Sequence, residues 1–249
     1  MLLPVRHAWH PPCLSCHGSL TDSAAGHSAA CTAFAITSLL AFQVWGWSTH
    51  PAKQQVAVLV WALNTVSFLN YASKLAGLQP PVRTLSGGYM RPLRYLEWSF
   101  TTACLIRVLG VLTPDGPKAR ALVRRTIALD VLLIGMGAAE HAAPAELKHP
   151  LFGVALCLFV PVMLGQLRLY WLGGETLSTA SDAEGLSSLK RTTLATWCLF
   201  PLARLACLLG FIGPNCQELL FTSLDVASKF GFAVFLLVGT FALLSPVKG

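Results

Sequence analysis

Seven stretches of this chain are apolar over the length a helix needs to cross a membrane, and the connections between them are short. They run 29–48, 54–76, 92–113, 119–139, 150–172, 190–212 and 217–245, divided by polar or Gly/Pro breaks such as Gln79-Pro80-Pro81 and Thr113-Pro114-Asp115-Gly116-Pro117. At 1.5 Å rise per residue, ~20 residues cover the ~30 Å hydrocarbon layer. Backbone amides there must be bonded within the segment, so each stretch is expected to be helical. Seven crossings use up a chain of 249 residues and leave no separate soluble domain. The predicted fold is therefore all-α, a seven-transmembrane helix bundle over residues 29–249. A flexible extracellular tail rich in His, Pro, Ser and Gly is expected over residues 1–28, without the features of a cleaved signal peptide.

Composition agrees with a multi-pass integral membrane protein in a lipid bilayer. Charged residues make up 12% of the chain against about 25% in soluble domains, and the mean hydropathy is +0.61. The net charge of +7 comes from cations lying between apolar runs, with no basic stripe and interleaved aromatics, so no nucleic-acid partner is expected. The connections on one side, with the C-terminus, carry Lys53, Lys118, Arg120, Arg124, Arg125, Lys190, Arg191 and Lys248; the other side carries Arg6, Arg83, Arg91 and Lys148. The richer side is expected in the cytoplasm, which puts the N-terminus outside. Cys104, Cys157, Cys198 and Cys207 fall inside apolar runs and are expected to be buried thiols, leaving Cys13, Cys16, Cys31 and Cys216 as those exposed enough to pair. Cys13-Leu14-Ser15-Cys16-His17 matches a haem-attachment string, but no further ligand motif accompanies it, and no metal site or enzyme activity is expected.

Ionisable residues inside membrane helices are costly and point to function. Here they are Arg94 and Glu97 in helix 3, Asp130 in helix 4, Arg204 in helix 6, and Asp225 and Lys229 in helix 7, with Lys74 and Arg107 nearer helix ends. Asp225 and Lys229 are one turn apart on one face, and Arg94, Glu97 and Thr101 share a face of helix 3. Burial disfavours a charged amine, which suits a neutral amine or a Schiff base with an aldehyde. Two carboxylates for one lysine suit a permanent buried cation, with Arg94 balancing the second acid. The alternative is a salt-bridge network that only sets helix register. Trp98, Trp197 and Phe200-Pro201 provide flat rings near the lysine and a proline kink, which suits a long polyene.

These residues resemble the microbial (type 1) rhodopsins, which include bacteriorhodopsin and the channelrhodopsins. Arg94-Tyr95-Leu96-Glu97-Trp98-Ser99-Phe100-Thr101-Thr102 is similar to the family string R-Y-x-D/E-W-x-x-T-T. Leu224-Asp225-Val226-Ala227-Ser228-Lys229-Phe230-Gly231-Phe232 is similar to its lysine helix, L-D-x-x-x-K-x-G-F. Trp197 with Phe200-Pro201, Asp130 with Gly137, and Tyr71 also match. The resemblance implies all-trans retinal on Lys229, Glu97 as primary counterion and first proton acceptor, Asp225 as second counterion, and Arg94 beneath them. It further implies Trp98 and Trp197 sandwiching the polyene, Thr101, Thr102 and Asp130 as polar contacts along it, Gly137 as room for its ring, and a dimer or trimer.

The resemblance also separates mechanisms. An outward proton pump carries a cytoplasmic carboxylate in helix 3 where this chain has Val108, and an acid at the start of helix 7 where it has Gln217, with Glu218 adjacent. A Glu counterion without that donor, together with a cysteine-containing extension, resembles channelrhodopsins, so a light-gated channel passing inorganic ions is expected. Helix 2 carries no acid and offers Asn64, Thr65, Ser67, Asn70, Ser73 and Lys74, a neutral to basic lining that favours anions, although interhelical hydrogen bonding accounts for such a stripe equally well. Glu97, Arg94, Ser67, Asn70, Lys74, Thr102 and Asp130 are the pathway and gate candidates. A sensory photoreceptor and an outward proton pump are the alternatives. Arg204 stands where the family usually has an aromatic, and it is expected to pair with Asp130. The plasma membrane of a eukaryotic microbe is the location the resemblance to channelrhodopsins suggests.

Overall fold

The computed structural model describes residues 20–175 and 180–239. Seven α-helices follow one another: α1 Leu20–Trp47, α2 Pro51–Leu75, α3 Pro92–Val111, α4 Pro117–Ala142, α5 Ala145–Gly174, α6 Ala180–Leu208 and α7 Pro214–Val234. Every consecutive pair is in contact, and α7 returns to α1 to close the bundle.

Proline sets four of the helix starts. Pro51, Pro92, Pro117 and Pro214 occupy the first turn of α2, α3, α4 and α7, and the preceding His50, Arg91, Gly116 and Gly213 are all extended. The ring forces the residue before it out of helical conformation, and its missing N–H is one the first turn would leave unpaired anyway. Between α2 and α3 a short hairpin that periodicity did not suggest pairs Val82 with Met90 and Arg83 with Tyr89. Gly87 makes its turn at φ +85°, where a side chain would be strained.

The bundle is inverted relative to a soluble protein. Leu39, Leu69, Leu96, Leu132, Val160, Leu164 and Leu202 face outward, while Asn64, Ser67, Thr101, Asp130, Asp225 and Lys229 are buried inside. Only a hydrocarbon solvent tolerates that distribution. Among the described helices, four are long and apolar enough by composition alone to cross a membrane: Ala24–Trp47, Pro51–Leu75, Ala145–Gly174 and Cys216–Leu237. The charges carried by α3, α4 and α6 lower their hydropathy, but the inward-facing ones sit against partners.

Several boundaries differ from those expected. Residues 20–28 are helical, since no proline follows Pro12 until Pro51 and the segment holds alanines at 24, 25, 29 and 30 that favour helix; residues 1–19 lie outside the described residues. Helix α6 begins at Ala180, ten residues before the expected stretch 190–212, and so takes up part of the connection after 150–172. The last helix ends as α at Val234 and continues as a π-helical turn over Phe235–Gly239. Of the thiols expected to be buried, Cys104 is, whereas Cys157 and Cys198 are exposed on the outer, apolar face of the bundle and Cys207 is half-buried. Cys31 is a free thiol and Cys216 is disulfide-bonded, while Cys13 and Cys16 lie outside the described residues.

Candidate functional site

Lys229 and Asp225 share a face of α7 because they are one turn apart, and the lysine Nζ lies 2.7 Å from Asp225 Oδ1. The same nitrogen donates to Glu97 Oε1 from α3. All three are withdrawn from solvent, at 2%, 1% and 4% exposure. Helix α2 supplies a second donor to each acid. Ser67 Oγ donates to Glu97 Oε1 at 2.6 Å, and Tyr71 Oη donates to Asp225 Oδ2 at 3.1 Å. Ser67 and Tyr71 are themselves one turn apart, so one face of α2 serves both acids. Glu97 Oε2 has no hydrogen-bond partner and is the open position of the cluster, because an unsatisfied buried acceptor costs about 1–3 kcal/mol.

Lys229, Asp225 and Ser228 form part of the wall of an internal cavity of about 170 Å³. Trp98, Thr102 and Leu105 line it from α3, Asp130, Leu133 and Gly137 from α4, and Trp197, Phe200 and Pro201 from α6. Helix α5, which no motif had singled out, adds Phe152, Ala155, Leu156 and Phe159. The Trp98 ring meets Phe200 edge-on at 5.2 Å and Phe221 at 5.6 Å. Pro201 has no N–H for the carbonyl of Trp197 four residues earlier, which loosens α6 beside the cavity. A Cβ on Gly137 would meet only Tyr95 Cε1, at 4.0 Å, so the missing side chain leaves wall space. Thr102 Oγ1 donates to Asp130 Oδ2 and lies 2.7 Å from the Trp98 carbonyl. Thr101 is buried beside the acids, with its hydroxyl on the backbone carbonyl of Glu97 at 2.9 Å, and lies outside the cavity wall.

A buried amine, two acids to hold it cationic, and an apolar, ring-lined cavity beside it fit a retinal chain bound through its aldehyde carbon.

Two expected pairings are corrected. Arg94 does not balance Asp225 or Glu97; it ion-pairs with Glu218 from α7. Lys229 already engages both inner acids, and Arg94, three residues before Glu97 on α3, is nearly a turn away and level with the start of α7. Glu218 is further approached by His27 of α1 at 3.3 Å and by Lys74 Nζ at 3.8 Å. Arg204 does not reach Asp130. Its Nε and Nη2 donate to the two oxygens of Glu140 at 2.8 and 2.6 Å, and its Nη1 donates to Gln217 at 3.3 Å. Glu140 lies ten residues beyond Asp130, about 15 Å along α4, level with the end of α6 that carries Arg204. Glu140 was the signal overlooked, a lone acid near a helix end that passes for a solvated residue.

On α2, Asn64, Ser67, Asn70, Tyr71 and Lys74 are all buried. Toward the Lys/Arg-rich end the polar residues serve helix packing: Thr37 donates to Asn64 at 2.7 Å and Ser38 bonds Thr65 at 2.7 Å. Val108 is fully buried in the apolar core.

Comparison with known proteins agrees. The family described as bacteriorhodopsin-like protein matches residues 26–243. Cruxrhodopsin-3 of Haloarcula vallismortis is 26% identical over 219 residues, covering 83% of this chain and 86% of the relative. Archaerhodopsin-3 of Halorubrum sodomense is 28% identical, covering 78% and 75%. In structure, thermophilic rhodopsin from Rubrobacter xylanophilus superposes with a TM-score of 0.80 at 21% identity, covering 89% of this chain and 97% of its own. The transmembrane domain of Salpingoeca rosetta rhodopsin phosphodiesterase gives 0.78 at 19% identity, covering 89% and 85%. The chain belongs to the bacteriorhodopsin-like family of microbial rhodopsins, seven-helix integral membrane proteins that carry retinal as a Schiff base.

Proposed function

We propose that this protein is a light-gated channel that passes anions in preference to cations, with residues 29–249 as the retinal-binding domain. Bound retinal supplies light absorption and an isomerising chain, attached at Lys229. Glu97 and Asp225 hold the positive charge at the Lys229 nitrogen, and Glu97, with its unpaired Oε2, accepts the proton when the lysine nitrogen turns away. Trp98, Trp197 and Phe200 confine the chain, Gly137 leaves space for its ring, and Thr102 with Asp130 couples α3 to α4 beside it.

The observation that carries the channel reading is the inward file on α2. Ser67, Asn70, Tyr71 and Lys74 are buried and run from Glu97, through the Ser67 hydrogen bond, toward the Lys/Arg-poor end. The α2 residues of that file are neutral up to Lys74, the cation on which it ends, and a neutral to basic lining favours anions. The position from which a proton pump would reprotonate the site is Val108, sealed among apolar neighbours. A chain of this kind is expected in the plasma membrane of a eukaryotic microbe, with the Lys/Arg-poor end outside, as a dimer or trimer.

Whole-cell patch clamp with retinal and flash illumination tests this, varying chloride, sodium, potassium and pH on the two sides. A photocurrent whose reversal potential follows chloride supports the proposal. Outward current that never reverses identifies a pump, and a coloured protein without current identifies a sensor; either overturns it.

A further inference from the structure

Beyond the inner acids, the Lys/Arg-poor half of the bundle holds a second buried charge cluster. Arg94 of α3, Lys74 of α2 and His27 of α1 converge on one oxygen, Glu218 Oε1. Arg94 contacts it directly, whereas the Lys74 ammonium stands off at 3.8 Å and finds no hydrogen-bond acceptor, although its side chain is 0% exposed. It lies instead 4.3 Å over the ring of Tyr71, the residue whose hydroxyl holds Asp225. A fully desolvated ammonium with three donors and no acceptor is an arrangement that proteins avoid.

The neighbouring Asn70 has the same deficit. It lies one turn before Lys74 on the buried face of α2 and is 7% exposed. Gln79 Nε2 donates to the Asn70 side-chain and backbone oxygens, at 3.0 and 2.9 Å, which fixes the amide so that its nitrogen faces the other way. That Nδ2 has no partner. Arg91 in turn donates to the Gln79 carbonyl at 2.9 Å, holding the loop against the cluster. Lys74 and Arg94 share a single carboxylate here, while Glu97 and Asp225 are engaged by Lys229.

Two unpartnered donors, one of them a desolvated ammonium that shares its nearest carboxylate with Arg94, call for an acceptor, and a negatively charged one suits the ammonium best. We propose that this cluster binds one small monovalent anion, such as chloride, held by the Lys74 ammonium and the Asn70 amide beside Arg94. The site lies on the α2 file that the channel proposal uses, but its occupancy does not rest on that reading: a channel, a pump or a sensor with these residues would hold the same ion. Its occupant sits against Tyr71, and through it bears on Asp225.

The test uses the purified retinal-loaded protein, exchanged into sodium gluconate and titrated with sodium chloride at constant ionic strength, with its thermal melting followed by loss of visible colour. The melting temperature is expected to rise with chloride in proportion to the logarithm of occupancy. Lys74→Met and Asn70→Leu are each expected to weaken the apparent chloride affinity by about tenfold or more, the loss of one charge-assisted hydrogen bond, and Lys74→Arg to retain it. No chloride-specific rise, as for a cluster filled by water only, overturns the proposal, as does a rise that both variants leave unchanged. Should the variants fail to form pigment, anomalous scattering from bromide in crystals of the unaltered protein decides: a peak between Lys74 and Asn70 supports the site, and none removes it. Patch-clamp currents do not enter this test, so it can fail while the channel proposal stands, or the reverse.

Discussion

Arg204 and Glu140 form a two-pronged ion pair between α6 and α4, with Nε to Oε2 at 2.8 Å and Nη2 to Oε1 at 2.6 Å. Their side chains are only 13% and 2% exposed, and both border the cavity beside Lys229. Removing one partner of such a pair strands a buried charge, at about 3–5 kcal/mol, while replacing both with apolar side chains is often neutral. Glu140→Leu and Arg204→Leu alone are therefore each expected to lower the thermal stability of the pigment strongly, and the double variant to recover most of the loss. Additive losses in the double-mutant cycle would show that the two residues act independently.

The pairing also bears on colour. An uncompensated Arg204 would oppose movement of positive charge toward the ring on excitation and shift absorption to the blue, but the Glu140 carboxylate neutralises it. Arg204→Phe combined with Glu140→Leu is expected to absorb close to the unaltered protein. A large red shift in the absorption maximum of that double variant would mean that the guanidinium charge is still felt along the chain.

Glu97→Gln and Asp225→Asn remove a charge from the lysine end of the chromophore. Each carboxylate stabilises positive charge at the Lys229 nitrogen, and light moves that charge away, so the excited state loses more than the ground state. Both variants are expected to be red-shifted in the visible spectrum, by an energy on the order of a few kcal/mol for a unit charge at contact distance. A blue shift in either would place that acid elsewhere during absorption.

Lys229→Ala is expected to give a protein that takes up no visible colour with added retinal. It also leaves Glu97 and Asp225 without their shared cation, which is costly in the interior. Lys229→Ala with Asp225→Asn should melt higher than Lys229→Ala alone in the colourless protein. Visible pigment in Lys229→Ala would assign the attachment to another amine.

At Gly165, α5 packs closely against Thr126 of α4. A Cβ placed there falls 2.4 Å from Thr126 Oγ1 and 3.2 Å from its Cβ, within van der Waals overlap. Gly165→Ala is expected to destabilise the bundle by about 1–3 kcal/mol, the usual cost of overpacking, and Gly165→Ala with Thr126→Ala, which removes the clashing Oγ1, to recover part of it. By contrast, Gly135→Ala, which meets nothing within 4 Å, should leave the melting temperature unchanged.

The helix count and the neighbourhood of Lys229 were legible because both depend on short-range spacing. Asp225 and Lys229 share a face by being four residues apart, and the apolar runs are long enough only to cross a bilayer. The seven-helix fold and the retinal cofactor followed from the same residues. Which partner each remaining buried charge takes was not legible. Arg204 could have met Asp130 or Glu140 on one helix, and Arg94 could have met three different acids; helix level and tilt choose between them, and these are set by packing along the whole bundle. The contribution of α5 was hidden for a related reason, since Phe152, Ala155, Leu156 and Phe159 look like any lipid-facing or core residues until a cavity opens beside them. Local spacing alone therefore determined the membrane-spanning helices and the lysine-acid pair on α7. Only the tertiary structure decided how the other charges are shared, because an ion pair between helices depends on heights and rotations that no single segment encodes.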